Sequence, residues 1–94
     1  MLSLDNFAPL VGEPFSLGAE SGEIQPAVLV EASALPGPVF NGRAPFRLMF
    51  EGPAEPVMAQ CTFKVEHPAL GGLDIFLVPV GRGAAGVRYE AVFS

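Results

Sequence analysis

The only histidine of the chain, His67, directly follows Glu66, and this pair is the first candidate for general acid–base chemistry. Successive residues of a strand point to opposite faces, so the two side chains would converge only at a kink. We favour a simpler interpretation, in which His67 lies at a corner before Pro68 and hydrogen-bonds within its own turn. A zinc site needs three or four ligands, and His67 with Cys61 does not supply them. The sequence therefore predicts no metal site.

The sequence also lacks a convincing pattern for nucleophilic catalysis or phosphate binding. No serine or threonine lies in a nucleophile elbow, and a single histidine is present to serve as base. The glycines around Arg82 resemble a phosphate cradle, but they join two predicted strands and do not open a helix. Cys61 alternates with Phe63 and Val65, which indicates a buried and inert thiol. We expect no catalytic residue, no cofactor and no enzymatic activity.

The charge of the chain is negative and unevenly distributed. The formal net charge is −5, and no Lys or Arg precedes Arg43. A nucleic acid backbone or an anionic membrane surface would be repelled by the first half and would find no basic patch in the second. The N-terminus has no basic segment followed by an apolar one, so we expect no secretory signal. These features predict a cytoplasmic, acidic protein with no nucleic acid and no membrane as partner, unless a larger particle carries it elsewhere.

Six segments alternate apolar with polar residues, or are almost wholly apolar, between turns rich in Gly and Pro. Alternation with a period of two between such turns is typical of antiparallel strands. The segments are residues 13–17, 24–35, 46–51, 61–66, 73–80 and 87–93. The sequence therefore predicts a mainly β fold: a six-stranded antiparallel meander forming a small barrel or a curled sheet, in a single domain that spans residues 1–94.

One short helix is predicted before the strands. Apolar residues recur at helical spacing between Leu4 and Val11, with Ser3 placed as N-cap and Gly12 as the stop. Pro9 lies inside this segment and predicts a bend or a change to a tighter turn. A helix from Ser3 to Val11 is too short to be stable alone, so we expect it to pack on the sheet.

The last three strands allow a prediction of register. We assume that Glu66 pairs with Leu73 and that Val80 pairs with Val87. An apolar face then collects Phe63, Val65, Phe76, Val78, Tyr89 and Ala91. The opposite, mixed face collects Lys64, Glu66, Leu73, Ile75, Leu77, Arg88 and Glu90. A sheet with one buried face requires such a division.

In this register, Leu73, Ile75 and Leu77 form an apolar stripe on the mixed face. The ordinary explanation is that the N-terminal helix covers the stripe or that the sheet closes into a barrel. The alternative is an interface with a partner or with a second subunit, because contiguous exposed apolar surface marks such sites. Three arginines complete the candidate partner-binding set, since Arg is favoured at interfaces. They are Arg43 in the long loop, Arg82 at the hairpin tip and Arg88 on the last strand.

The chain resembles a small bacterial family of stand-alone domains of unknown function. The resemblance runs nearly end to end and is strongest at Glu66-His67-Pro68-Ala69-Leu70-Gly71, at Phe76-Leu77-Val78-Pro79-Val80-Gly81 and at Tyr89-Glu90-Ala91-Val92-Phe93. After Gln60, where the family has Gly or another small residue, this chain has Cys61, which argues further against a role for the thiol. Members of the family are often encoded beside phage-tail-like collar or fibre proteins. The resemblance implies an accessory or structural part of a tail-like assembly.

Two functions follow from these observations. The first is a non-enzymatic protein-binding or structural accessory module that docks through its sheet or its loops. The second is a small-ligand-binding barrel or a minor enzyme, with a site where Glu66, His67, Arg82 and Tyr89 would converge at the barrel mouth. The absence of a catalytic set in the sequence favours the first.

Overall fold

Six strands form where the alternating segments lie between Gly and Pro turns. The computed structural model describes residues 2–39 and 44–93. The strands are β1 (Pro14–Gly18), β2 (Ile24–Ala34), β3 (Phe46–Gly52), β4 (Cys61–His67), β5 (Gly71–Arg82) and β6 (Val87–Phe93).

The strands close into a six-stranded antiparallel barrel with the order β1-β2-β3-β6-β5-β4. The predicted mainly β fold with one short N-terminal helix is therefore confirmed, and the sheet is a closed barrel. The connectivity differs from one continuous meander, because β3 pairs with β6 and β4 pairs with β1. Two three-stranded meanders are thus joined by the β3–β4 loop (residues 53–60). Two prolines, Pro53 and Pro56, lie in this loop, which crosses one end of the barrel and forms no tight hairpin.

The N-terminal segment begins as α1 (Leu4–Phe7) and continues as a 3₁₀ helix (Ala8–Leu10). The change of helix type occurs at Pro9, as the position of a proline without an N–H predicts. Ser3 is the N-cap, and its backbone N–H donates to Oδ1 of Asn6 at 2.8 Å. Gly12 ends the segment with a φ of 94°, a conformation that glycine adopts without steric cost.

The two ends of the barrel are covered by different segments. At the lower end, Phe7 of α1 is fully buried, with its ring centroid 6.0 Å from that of Phe46 and 6.2 Å from that of Phe93. At the upper end, the β3–β4 loop lies over the interior, and the N–H of Met58 donates to the hydroxyl oxygen of Tyr89 at 2.9 Å. The residues of the buried core are Phe7, Phe15, Leu17, Ala27, Leu29, Phe46, Leu48, Phe50, Met58, Phe63, Val65, Ile75, Leu77, Val87, Tyr89 and Ala91.

The predicted register of the β4–β5 hairpin is wrong by one residue. Val65 pairs with Leu73 and Phe63 pairs with Ile75, whereas the prediction placed Val65 opposite Asp74. The reason is the turn, in which His67 pairs with Gly71 and leaves three residues between the strands. Gly71, the first residue of β5 after these three, has a φ of 73°, a left-handed conformation that glycine adopts without steric cost.

The predicted register of the β5–β6 hairpin is also wrong. A β-bulge between Pro79 and Gly81 shifts the pairing, so that Arg82 pairs with Val87 and Val78 pairs with Glu90. Pro79 has no N–H to donate to the ladder, and prolines inside sheets occur at bulges for this reason.

Together the two shifts invert the assignment of β5. The prediction that Phe63, Val65, Tyr89 and Ala91 face the core is confirmed, because all four are buried. The prediction for β5 is wrong: Phe76 points outward and Ile75 and Leu77 point inward. A slip of one residue moves every side chain of a strand to the other face.

The register can be checked by a pair of adjacent substitutions. Leu77→Ala removes a fully buried side chain, and we expect it to lower the free energy of unfolding by about 2–5 kcal/mol. Phe76→Ala removes a larger side chain that points to solvent, and we expect a change of about 0.5 kcal/mol or less. Urea denaturation of both variants measures the difference. A greater loss for Phe76→Ala than for Leu77→Ala would contradict the register.

Candidate functional site

The apolar stripe predicted as a partner surface lies inside the barrel. Ile75 and Leu77 belong to the buried core, and Leu73 is partly buried against it. Ile75 and Leu77 therefore do not form an exposed surface stripe, and partner binding by these three residues stays a prediction. The sheet closes into a barrel and covers the stripe, as the ordinary explanation predicted.

A different apolar stripe faces solvent on the same strand. Phe76 is 53% exposed and Val92 on β6 is 60% exposed, while Val80 is exposed and Val78 is half-buried. We call these four residues the β5–β6 face. Phe76 is the one aromatic residue among the large exposed apolar side chains of the described chain. Aromatic residues in such positions contribute strongly to protein interfaces.

A groove runs between the lower halves of β5 and β6. The paired residues of these strands extend from Arg82 and Val87 to Val78 and Glu90, and no further pair is found in the described part of the sheet. Below Val78, β5 pairs with β4 and β6 pairs with β3, which leaves a cleft of about 320 Å³ between them. The cleft is lined by Asp74, Ile75, Phe76, Val78, Glu90, Ala91, Val92 and Phe93.

The charged groups beside the β5–β6 face are paired with one another. Lys64 Nζ lies 3.0 Å from Asp74 Oδ1. Arg47 bridges two carboxylates, with Nη2 at 2.6 Å from Glu31 Oε2 and Nη1 at 3.3 Å from Glu90 Oε2. The Lys64–Asp74 pair is neutral, whereas the Arg47 group with its two carboxylates carries a formal charge of −1. Neither group covers the exposed apolar side chains of the face.

The Arg47 network shifts the ionisation of its members. The hydrogen bond from Arg47, followed by one from the hydroxyl of Ser33, lowers the pKa of the Glu31 carboxyl. The same hydrogen bond to Glu31 raises the pKa of the Arg47 guanidinium. Both shifts favour the charged forms, so Glu31 and Arg47 stay ionised at neutral pH.

Two of the three predicted arginines lie at the upper end of the β5–β6 face. Arg88 Nε donates to Glu51 Oε2 at 2.9 Å; the Arg88 side chain is 41% exposed and that of Glu51 only 8%. Arg82 is exposed and donates to the backbone oxygen of Ala54 at 3.3 Å. Solvent therefore meets guanidinium groups at this end of the face. Arg43 lies outside the described residues.

The four residues of the second predicted site do not converge, because Glu66 and His67 lie at the lower end of the barrel and Arg82 and Tyr89 lie toward the upper end. His67 ends β4 at the β4–β5 turn, whereas Arg82 is the last residue of β5. Eleven residues of strand at about 3.3 Å each separate these ends by about 35 Å. Tyr89 is fully buried, and its hydroxyl oxygen accepts the hydrogen bond from Met58. Glu66 is exposed, so no convergent polar site links it to Arg82 or Tyr89.

His67 has a structural role at the lower end of the barrel. Its Nδ1 accepts a hydrogen bond from the N–H of Ala69 at 2.9 Å, which confirms the predicted bond within its own turn. The other nitrogen, Nε2, lies 2.7 Å from Glu13 Oε1 and donates to it. This second contact joins residues 54 positions apart and could not be foreseen from local sequence. Beside it lies a shallow groove of about 480 Å³, bounded mainly by β1 and the β4–β5 turn.

Other sources of chemistry are limited in the described part of the chain. Cys61 is a free cysteine that is half-buried against the core, less covered than the sequence suggests. No group of three or more His, Cys, Asp or Glu side chains that could hold a metal ion occurs within residues 2–39 and 44–93. No helix of these same ranges is long and apolar enough to cross a bilayer.

The structural role of Tyr89 can be tested by removing its hydroxyl. Tyr89→Phe leaves the buried N–H of Met58 without an acceptor, and we expect a loss of about 1–3 kcal/mol in the free energy of unfolding. Urea denaturation measures this loss, with Thr62→Val, at an exposed hydroxyl, as the control. Equal stability of Tyr89→Phe and the native chain would contradict the proposed anchoring of the β3–β4 loop.

The Arg47 network predicts a dependence of stability on pH. Because the pKa of Glu31 is lower in the folded chain than in the unfolded one, its ionisation stabilises the fold above the unfolded pKa. This contribution is lost as the pH falls through the folded pKa. We expect Glu31→Gln to be less stable than the native chain at pH 7, with a difference that shrinks on acidification. Glu20→Gln serves as control, and parallel pH profiles for native and Glu31→Gln chains would refute the expectation.

Comparison with known proteins identifies the family of the chain from its sequence. No curated protein and no solved structure matched it. A family model described as Domain of unknown function (DUF6916) matches residues 2–93, and this match covers all six strands and both helical turns. The chain belongs to the DUF6916 family.

Proposed function

We propose that this chain is a non-enzymatic protein-binding module whose contact surface is the β5–β6 face. The observation that carries the proposal is the exposed stripe of Phe76, Val78, Val80 and Val92 on a barrel whose interior is filled by side chains. Burying apolar surface is the main driving force of most protein association. A large exposed aromatic side chain contributes this favourable free energy only when a partner covers it.

The composition of the surface fits the anatomy of a protein interface. Such interfaces have an apolar centre and a polar border, with aromatic residues and Arg enriched. Phe76 occupies the centre, and the ion pairs of Lys64 and Arg47 lie at the borders. Arg82 and Arg88 add exposed cationic groups at the upper end.

The resemblance noted in the sequence suggests where such a module would act. Members of the family that the sequence resembles are often encoded beside collar or fibre proteins. We therefore propose that this chain is an accessory part of a phage-tail-like assembly of bacterial origin. A small rigid barrel that binds by one face suits such a role, because its backbone need not rearrange on docking.

The alternative of a small-ligand site at the barrel mouth has less support. Its four residues do not converge, and the β3–β4 loop covers the upper end through Met58 and Tyr89. Ligand sites need several polar groups that point to one position. We therefore do not extend this alternative to a substrate or a reaction.

The proposal can be tested by face-specific loss of binding. The immobilised chain is exposed to lysate of its native host, in parallel with the Phe76→Ser/Val92→Ser double variant. Val57→Ser is the matched control, because Val57 is 52% exposed but belongs to the β3–β4 loop and is not one of the four residues of the β5–β6 face. We expect proteins that the native chain and the control both retain to be lost by the double variant.

The same experiment can also refute the proposed contact surface. Retention of the same proteins by all three chains, quantified by mass spectrometry, would refute binding through the β5–β6 face. Urea denaturation confirms beforehand that the double variant is folded, as exposed substitutions allow.

A further inference from the structure

A second apolar surface lies on the opposite side of the barrel. In a ring of order β1-β2-β3-β6-β5-β4, the pair β1–β2 lies three steps from the pair β6–β5. Ile24 on β2 is 68% exposed, and Pro26 and Val28 follow it at alternate, exposed positions. We call these three residues, with the outward residues Pro14, Ser16 and Gly18 of β1, the β1–β2 face.

The two faces differ in relief. The outward side chains of β1 are small, and a shallow groove of about 480 Å³ borders this strand toward β4. A second groove of about 210 Å³ lies over β2, between Pro14 of β1 and Glu51 of β3. The β5–β6 face instead raises the ring of Phe76 from the sheet. A low surface with grooves and a surface with a projecting aromatic ring are complementary in shape.

The two faces also differ in charge. Glu20 and Glu23 lie in the β1–β2 turn, at the upper end of the β1–β2 face, and neither forms an ion pair within the described residues. At the upper end of the β5–β6 face, Arg82 and Arg88 expose guanidinium groups, while Glu51 is covered. When two barrels stand side by side in the same orientation, carboxylates of one copy meet guanidinium groups of the next. Such complementarity favours one arrangement over its alternatives.

Each face is large enough for a stable contact. A specific interface needs about 800 Å² from each partner. This is about a sixth of the 5249 Å² of accessible surface of the chain, whereas two of six strands provide about a third of the barrel wall.

We infer that copies of this chain associate head to tail, with the β5–β6 face of one copy on the β1–β2 face of the next. The inference rests on the proposed function and names a second copy as the partner of the β5–β6 face. A contact between two different faces leaves one face of each kind free at the ends of a pair. Association therefore continues beyond two copies until a ring closes or a filament forms.

A complementation experiment tests this arrangement. One variant, Phe76→Ser/Val92→Ser, loses the β5–β6 face, and the other, Ile24→Ser/Val28→Ser, loses the β1–β2 face. Analytical ultracentrifugation of the native chain should show species larger than a dimer. Each double variant alone should associate at least about ten-fold more weakly, since aromatic and apolar anchors dominate such contacts. An equimolar mixture of the two should form a 1:1 dimer and nothing larger, because one intact face of each kind is present.

The other outcomes overturn the inference. A native chain that stays monomeric at millimolar concentration, or a discrete dimer that the mixture of variants does not restore, would exclude head-to-tail contact. Val57→Ser must associate like the native chain, and urea denaturation must show that both double variants are folded. A failure of self-association does not decide the proposed function, which has its own test. Capture of a host protein that depends on the β5–β6 face, without self-association, would identify this face as a binding surface for a different partner.

Discussion

Closure of the barrel between β1 and β4 is the constraint on which the rest of the structure depends. Ser16, Leu17 and Gly18 pair with Glu66, Val65 and Lys64 across this seam. Because residues opposite each other share a face, the inward direction of Leu17 and Val65 fixes the direction of the other side chains along this seam. Closure also removes the two free edges that an open sheet would present to other chains.

A closed barrel this small still needs its ends covered, and the chain uses segments outside the strands to do so. Phe7 contacts Phe46 and Phe93 at the lower end, and Met58 with Tyr89 closes the upper end. Glu13 and His67 then join the end of the N-terminal segment to the β4–β5 turn. Side chains fill the interior in this way, so the polar groups and exposed apolar residues that could contact another molecule lie on the outer surface.

That outer surface is divided by the same alternation that builds the core. Once alternate residues of β5 fill the interior, the remaining ones, Phe76 and Val78, have no place except the outside. The ion pairs of Arg47 and Lys64 lie beside this face, whereas Glu20 and Glu23, which form no ion pair with any residue of 2–39 and 44–93, lie across the barrel. Two opposite surfaces with different relief and different charge follow from one closed ring.

Local sequence patterns predict the six strands, the N-terminal helix with its change near Pro9, and the inward direction of Phe63, Val65, Tyr89 and Ala91. Gly and Pro mark the turns, and the outward neighbours of these four residues are polar except for Val92. Which face of β5 is buried depends on contacts that form only in the folded barrel. Residues 73–80 are apolar at nearly every position, so the sequence does not show which alternate residues point inward. The Gly71 turn and the bulge at Pro79 set the register that buries Ile75 and Leu77. The ring closure and the Glu13–His67 bond could not be predicted, because they join residues 46 to 54 positions apart that meet only when the chain has folded.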